Sequence, residues 1–170
     1  EAKRCIGYLP ELPPLYTDMT VWEYLDFAAQ LKNIPAKKRQ ESILNAMKMT
    51  GLVDVAKRLI KNLSKGYRQR VGFAQAVLGM PEIIILDEPT VGLDPIQIIE
   101  IRSLIKELAK EHTVILSSHI LSEISAVCDE ILIISHGRLV ASDTTENLMH
   151  YMDSDAMLEI SIRAPKEQAK

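Results

Sequence analysis

The sequence predicts an α/β fold with a mainly parallel sheet and a helical block set between two of its strands, on three observations. Ile83-Ile84-Ile85-Leu86 is apolar on both faces, the pattern of a central parallel strand. From that point strand-like and helix-like segments alternate. Before it, residues 20–78 carry helical periodicity almost throughout, behind a short strand over Lys3 to Leu9.

Each element has a local reason. Pro10 ends the first strand, and Pro13 and Pro14 enforce an extended loop, because proline lacks an amide donor and restrains its predecessor. Thr20-Val21-Trp22-Glu23 is a capping box, so a helix starts there and runs to about Lys32. A second helix covers about Lys37 to Met49 and stops at Gly51. A shorter helical stretch is expected over Asp54 to Ile60. Ser64 caps a helix to about Leu78, ended by Gly79 and Pro81. After the Ile83 strand, a helix is expected from about Ile96 to Lys110, a strand over Thr113 to Ser117 and a helix over Leu121 to Val127. Glu130 to Ser135 and Arg138 to Ser142 read as paired strands joined by His136-Gly137, followed by a helix over Thr145 to Tyr151 and a strand over Met157 to Ile162.

Composition narrows the function. Of 170 residues, 47% are hydrophobic and 25% charged, the balance of a chain with a packed core. A net charge of −3 offers no electrostatic footprint for nucleic acid or an anionic membrane. Cys5 and Cys128 lack metal-site spacing and fit a reducing compartment. The apolar runs fall well short of the ~20 residues that span a bilayer.

Four segments carry candidate chemistry. Asp87 and Glu88 follow the apolar strand directly, which places two carboxylates at the carboxyl edge of the sheet, where α/β folds bind ligands. Asp87 there suits magnesium, and Glu88 suits activation of a water. Ser64-Lys65-Gly66-Tyr67 opens a helix, whose exposed amides and dipole attract phosphate, and Gly66 allows close approach. Ser117-Ser118-His119 ends the next strand, where an imidazole reaches a phosphate oxygen. Val91-Gly92-Leu93-Asp94 is a tight turn into a helix. Taken singly, Ser64 and Asp94 read as plain helix caps and His119 as a surface or core residue, while the acidic pair reads as well as an acidic surface turn as it does as a site.

In this order the segments resemble the ATP-binding cassette family of ATPases, from about Cys5 to Tyr151. Leu63 to Gly79 is similar to the family signature helix, with Leu63-Ser64-Lys65-Gly66-Tyr67 in place of L-S-G-G-Q. Asp87 matches the Walker B aspartate, Glu88 the catalytic glutamate, Leu93-Asp94 the D-loop and His119 the switch histidine. Ile6 to Glu11 resembles the run into the Q-loop, with Glu11 where a glutamine is usual.

The resemblance implies a P-loop NTPase fold of the RecA-like type with an inserted helical signature subdomain at about 12–80. Residues 1–11 and 81–152 would belong to the α/β core, and 153–170 would start a C-terminal extension. It implies ATP and Mg2+ as ligands: Glu88 and His119 in catalysis, Ser64, Lys65, Gly66, Tyr67 and Asp94 at the nucleotide, and Asp87 and Glu11 near the metal. It further implies a head-to-tail homodimer, an integral membrane permease as partner, and a place on the cytoplasmic face of the membrane. Export is favoured, because Pro-Glu and Ser-Lys-Gly-Tyr variants occur in the branch whose exporters have a separate permease.

No G-x-x-x-x-G-K-[ST] occurs in the sequence. The resemblance places that phosphate loop, and an aromatic that stacks on adenine, upstream of Glu1. The chain is therefore expected to be part of a longer protein, lacking its first strands, and to bind ATP weakly by itself. The apolar stretch Leu12, Leu15, Tyr16, Val21 and Trp22 is a candidate permease contact, with Leu15 and Tyr16 facing outward and Trp22 and Leu25 packing inward. Two other classes share these motifs: a soluble cassette ATPase acting on ribosomes or DNA, and a catalytically silent interaction module. Co-purification with a membrane protein or with ribosomes separates the first from a transporter subunit.

Overall fold

A computed structural model describes residues 5–148. Two compact units divide at Val127/Cys128 and are described separately.

The first unit holds a three-stranded parallel sheet in the order β1 (Ile6–Leu9), β2 (Ile83–Asp87), β3 (Thr113–Ser117). Leu86 pairs with Leu9 on one side and Leu116 on the other, so the strands end level and Asp87 lies beside Ser117. Between β1 and β2 runs the helical block: α1 (Val21–Leu31), α2 (Ala36–Thr50) and α3 (Lys65–Val77). After β2 comes α4 (Pro95–Leu108), and after β3 the short α5 (Leu121–Ile124). Lys3 and Arg4 of the expected first strand lie outside the described residues.

The caps follow the sequence. Thr20 Oγ1 accepts from the Glu23 amide at 3.2 Å, and the Glu23 carboxylate accepts from the Thr20 amide at 2.8 Å. Gly51 closes α2 at φ +68, a conformation glycine adopts without steric cost. Ser64 and Asp94 each accept an amide of their own first turn, at 3.3 and 2.9 Å, and Pro95 occupies the first position of α4.

The core joins sheet to helices: Leu9, Ile84 and Leu86 meet Leu25, Ile43, Met47, Phe73, Leu78 and Leu108, all fully buried. Val21 belongs to this core, which removes it from the expected outward stretch, while Leu15 and Trp22 pack partly against it. Leu12 and Tyr16 stay exposed, with Tyr16 edge-on to Phe27.

The helix expected over Asp54 to Ile60 is instead two single 3-10 turns, Val53–Val55 and Ile60–Asn62. Carbonyls of the intervening stretch are spent elsewhere: Arg58 O accepts from the Val21 amide and Ala56 O from the Trp22 amide, satisfying the orphan donors that open α1. The helix expected to Val127 stops at Ile124.

In the second unit β4 (Glu130–Ser135) and β5 (Arg138–Thr144) form an antiparallel pair with its own two-stranded sheet. Its turn residues His136 and Gly137 both have positive φ, +49 and +72, as a two-residue type I′ hairpin requires. Residues 145–148 are helical; the remainder of the expected Thr145 to Tyr151 helix and the Met157 to Ile162 strand lie outside the described residues.

Candidate functional site

The level ends of β1, β2 and β3 bring three strands' worth of polar side chains to one edge. Asp87 is the last residue of β2, and hydroxyls from both neighbouring strands reach it: Ser117 Oγ donates to Oδ1 at 2.7 Å and Tyr8 Oη to Oδ2 at 3.4 Å. Glu88 follows in a left-handed conformation at φ +45, rare for a residue with a side chain. Its amide donates to Ser117 O at 3.2 Å and Ser117 Oγ at 3.1 Å.

That backbone reversal turns the Glu88 carboxylate toward β3. His119 Nδ1 donates to Glu88 Oε1 at 2.8 Å. The hydrogen bond and the charge of Glu88 raise the His119 pKa above its ordinary 6.5, with lesser contributions from the charges of Glu123 and Glu11. The imidazole is 69% exposed, whereas the Glu88 side chain is 21% exposed. Its Oε2 is buried without a protein hydrogen-bond partner, an acceptor left for something else. With Nδ1 engaged, Nε2 of His119 faces solvent and can donate to an anion when the ring is protonated.

The turn after Glu88 is fastened from two further sides. Gln69 Nε2, in α3, donates to Pro89 O at 3.1 Å, and Thr90 Oγ1 donates to the Glu123 carboxylate of α5. Both contacts are buried.

A second cluster gathers the start of α3 and the turn before α4. The Lys65 ammonium lies in the space a side chain on Gly92 would take, and Gly66 backs onto the Gln97 amide. Ser64, Lys65, Gly66, Tyr67 and Asp94 thus sit together. Among the described residues no hydrogen bond or ion pair joins them to Asp87, Glu88 or His119.

Magnesium fits the first cluster in kind. It prefers carboxylate, water and phosphate oxygens over all-protein cages. Asp87 supplies such an oxygen at the edge, Glu11 is exposed just beyond β1, and no group of three or more His, Cys, Asp or Glu among the described residues could hold a metal.

Sequence reasoning did not single out Tyr8, Gln69, Thr90 or Glu123, nor give Ser117 a task. For Ser117 a signal existed. Two parallel strands of equal length, each ending in a polar residue, set those residues side by side.

The sheet, its acid-bearing edge and the inserted helices define a P-loop nucleoside triphosphatase fold of cassette type. The solved structure of CbiO1 from Clostridium perfringens, part of the ABC transporter complex CbiONQ, matches with a TM-score of 0.81 and 28% identity, over 89% of this chain and 62% of that one. The ABC transporter family profile matches residues 1–91. The chain belongs to the ABC transporter family. An uncharacterised ABC transporter ATP-binding protein of Nostoc sp. is 43% identical over 150 residues, 86% of this chain and 45% of that protein. The bacitracin transport ATP-binding protein BcrA of Bacillus licheniformis is 44% identical over 142 residues, 82% of this chain and 45% of its own length. The lantibiotic transport ATP-binding protein SrtF of Streptococcus pyogenes is 34% identical over 160 residues, 92% and 68% respectively. The chain spans about half the length of curated relatives it matches, 45% for both the Nostoc protein and BcrA.

Proposed function

We propose that the protein carrying this chain is the ATP-binding and ATP-hydrolysing subunit of an ABC transporter, working through a separate membrane permease and driving export. The observation that carries the reading is the Glu88–His119 hydrogen bond beside Asp87 at the sheet edge. No helix among the described residues is long and apolar enough to cross a membrane. Relatives named for bacitracin and lantibiotic transport support a transport role. Export rests on the Ser64-Lys65-Gly66-Tyr67 and Pro10-Glu11 variants, and the subunit sits on the cytoplasmic face of the membrane.

Phosphoryl transfer asks a protein mainly for positioning and charge stabilisation. Glu88 aligns a water against the terminal phosphate of ATP and accepts its proton. Protonated His119 donates from Nε2 to the charge that develops on the phosphate, and Glu88 favours that protonated form. Asp87, with Glu11 as a second carboxylate at the sheet edge, would hold Mg2+, which when bound would neutralise phosphate charge.

Ser64 to Tyr67, at the positive end of α3, engage the nucleotide of a second copy in a head-to-tail homodimer. Asp94 lies beside this cluster, at the same interface in this reading.

Glu88→Gln in the whole protein keeps the shape and removes the base. ATP binding is expected to stay within about twofold, and steady-state hydrolysis to fall by at least ~100-fold. Turnover at the wild-type rate would exclude Glu88 from this role.

A further inference from the structure

We propose that Ser117 is a positioning residue that clamps the two catalytic-edge acids together, setting the side chain of Asp87 and the backbone of Glu88 through a single hydroxyl. The inference deepens the ATPase reading and rests on it. Ser117 Oγ donates to Asp87 Oδ1 at 2.7 Å while accepting from the Glu88 amide at 3.1 Å. A hydroxyl has one proton to give and lone pairs to receive, so both contacts coexist and each polarises the other. The Ser117 carbonyl adds a third contact, to the same Glu88 amide at 3.2 Å.

The clamp matters because Glu88 is strained. A non-glycine residue at φ +45 persists only where its surroundings over-determine it. Ser117 supplies two of the contacts that fix its amide, and it lies two residues from His119, to which the Glu88 carboxylate turns. One β3 terminus therefore sets the base, its imidazole partner and the metal-side carboxylate at once. Tyr8 Oη meets the other Asp87 oxygen at a longer 3.4 Å and from a half-exposed ring, so Ser117 is the tighter holder.

The clamp predicts a particular set of effects in the whole protein. Ser117 is exposed, so Ser117→Ala leaves the core intact. It is expected to lower kcat at least ~10-fold with the KM for ATP little changed, because an ill-placed base costs rate more than binding. Ser117→Thr keeps the hydroxyl and is expected to restore at least half of kcat. Amide hydrogen exchange at Glu88, followed without nucleotide, is expected to quicken in Ser117→Ala and return in Ser117→Thr. Full kcat in Ser117→Ala, equal loss in both variants, or unchanged exchange at Glu88 would each overturn the clamp. The exchange readout needs no hydrolysis. A wild-type rate in Glu88→Gln would therefore remove the ATPase role of Glu88, whereas unchanged exchange would remove the clamp.

Discussion

Gly7, in the middle of β1, has no room for a side chain. A Cβ built there falls 2.3 Å from the backbone oxygen of Ala76, 3.0 Å from its carbonyl carbon and 3.0 Å from Pro81 Cγ. The oxygen is about 1 Å inside ordinary van der Waals contact. It also cannot swing aside, because it belongs to the last turn of α3 and accepts from Lys32 Nζ at 2.9 Å. Gly7→Ala must therefore push α3 from the sheet. Overpacking costs ~1–3 kcal/mol, and a backbone obstacle puts this site near ~3 kcal/mol. For a chain of this size that is a fall in Tm of roughly 6–12 °C. Gly51→Ala is the internal comparison. Its φ of +68 makes alanine pay ~1 kcal/mol, but among the described residues the neighbour within reach is the side-chain end of Arg70 at 3.1 Å, not backbone. Its expected loss is roughly 2–4 °C. Thermal unfolding followed by far-ultraviolet circular dichroism checks both. A Gly7→Ala melt within about 2 °C of wild type, or a larger loss in Gly51→Ala, would refute the close-approach argument.

Two further outcomes concern titration. Burial pushes the Lys32 ammonium, which caps the carbonyls of Ala76 and Leu78, from 10.5 down to about 8. The unfolded chain then holds a proton that the folded chain has lost across that window. Stability relative to Lys32→Met is expected to rise from about pH 8 to 10.5, with the penalty full below 8; urea unfolding along the window measures it, and parallel curves would remove the effect. His119 is expected to titrate above 6.5 by nuclear magnetic resonance and to drop toward 6.5 in Glu88→Gln, since Glu88 is the main cause of the rise. The contact's contribution is present at low pH and fades as pH passes the raised value; an unchanged His119 titration in Glu88→Gln would deny it.

Local signals were readable where one short segment decides the outcome. The Thr20–Glu23 capping box, the Gly51 stop, the Ser64 and Asp94 caps and the His136-Gly137 hairpin all form as their residues demand. The hydrogen bond between Glu88 and His119, with Asp87 beside Ser117, forms where strand ends meet at one edge. What failed to show was decided by distant partners. Residues 53–62 carry helical composition, yet the Ala56 and Arg58 carbonyls serve the first amides of α1, 34 and 37 residues away in sequence, beyond any periodic pattern. Val21 looked available as part of an apolar stretch, but the capping box that starts α1 turns it into the core. Ser117 and Tyr8 are ordinary strand residues until register sets one on each side of Asp87.

The strain at Glu88 ties these levels together. A left-handed glutamate costs of order 1–3 kcal/mol, and nothing in the Glu88-Pro89-Thr90 sequence favours it. Three elements hold it there: β3 through Ser117, α3 through Gln69 on the Pro89 carbonyl, and α5 through Glu123 on Thr90. Two of those contacts are buried, where an unmade hydrogen bond costs ~1–3 kcal/mol, so releasing the turn would leave several polar groups unsatisfied together. The conformation that aims the carboxylate at His119 is thus sustained by residues that never touch it. A substitution at Gln69 is expected to reach the site through the backbone of the turn, and one at Glu123 through that backbone and through its charge on His119 as well.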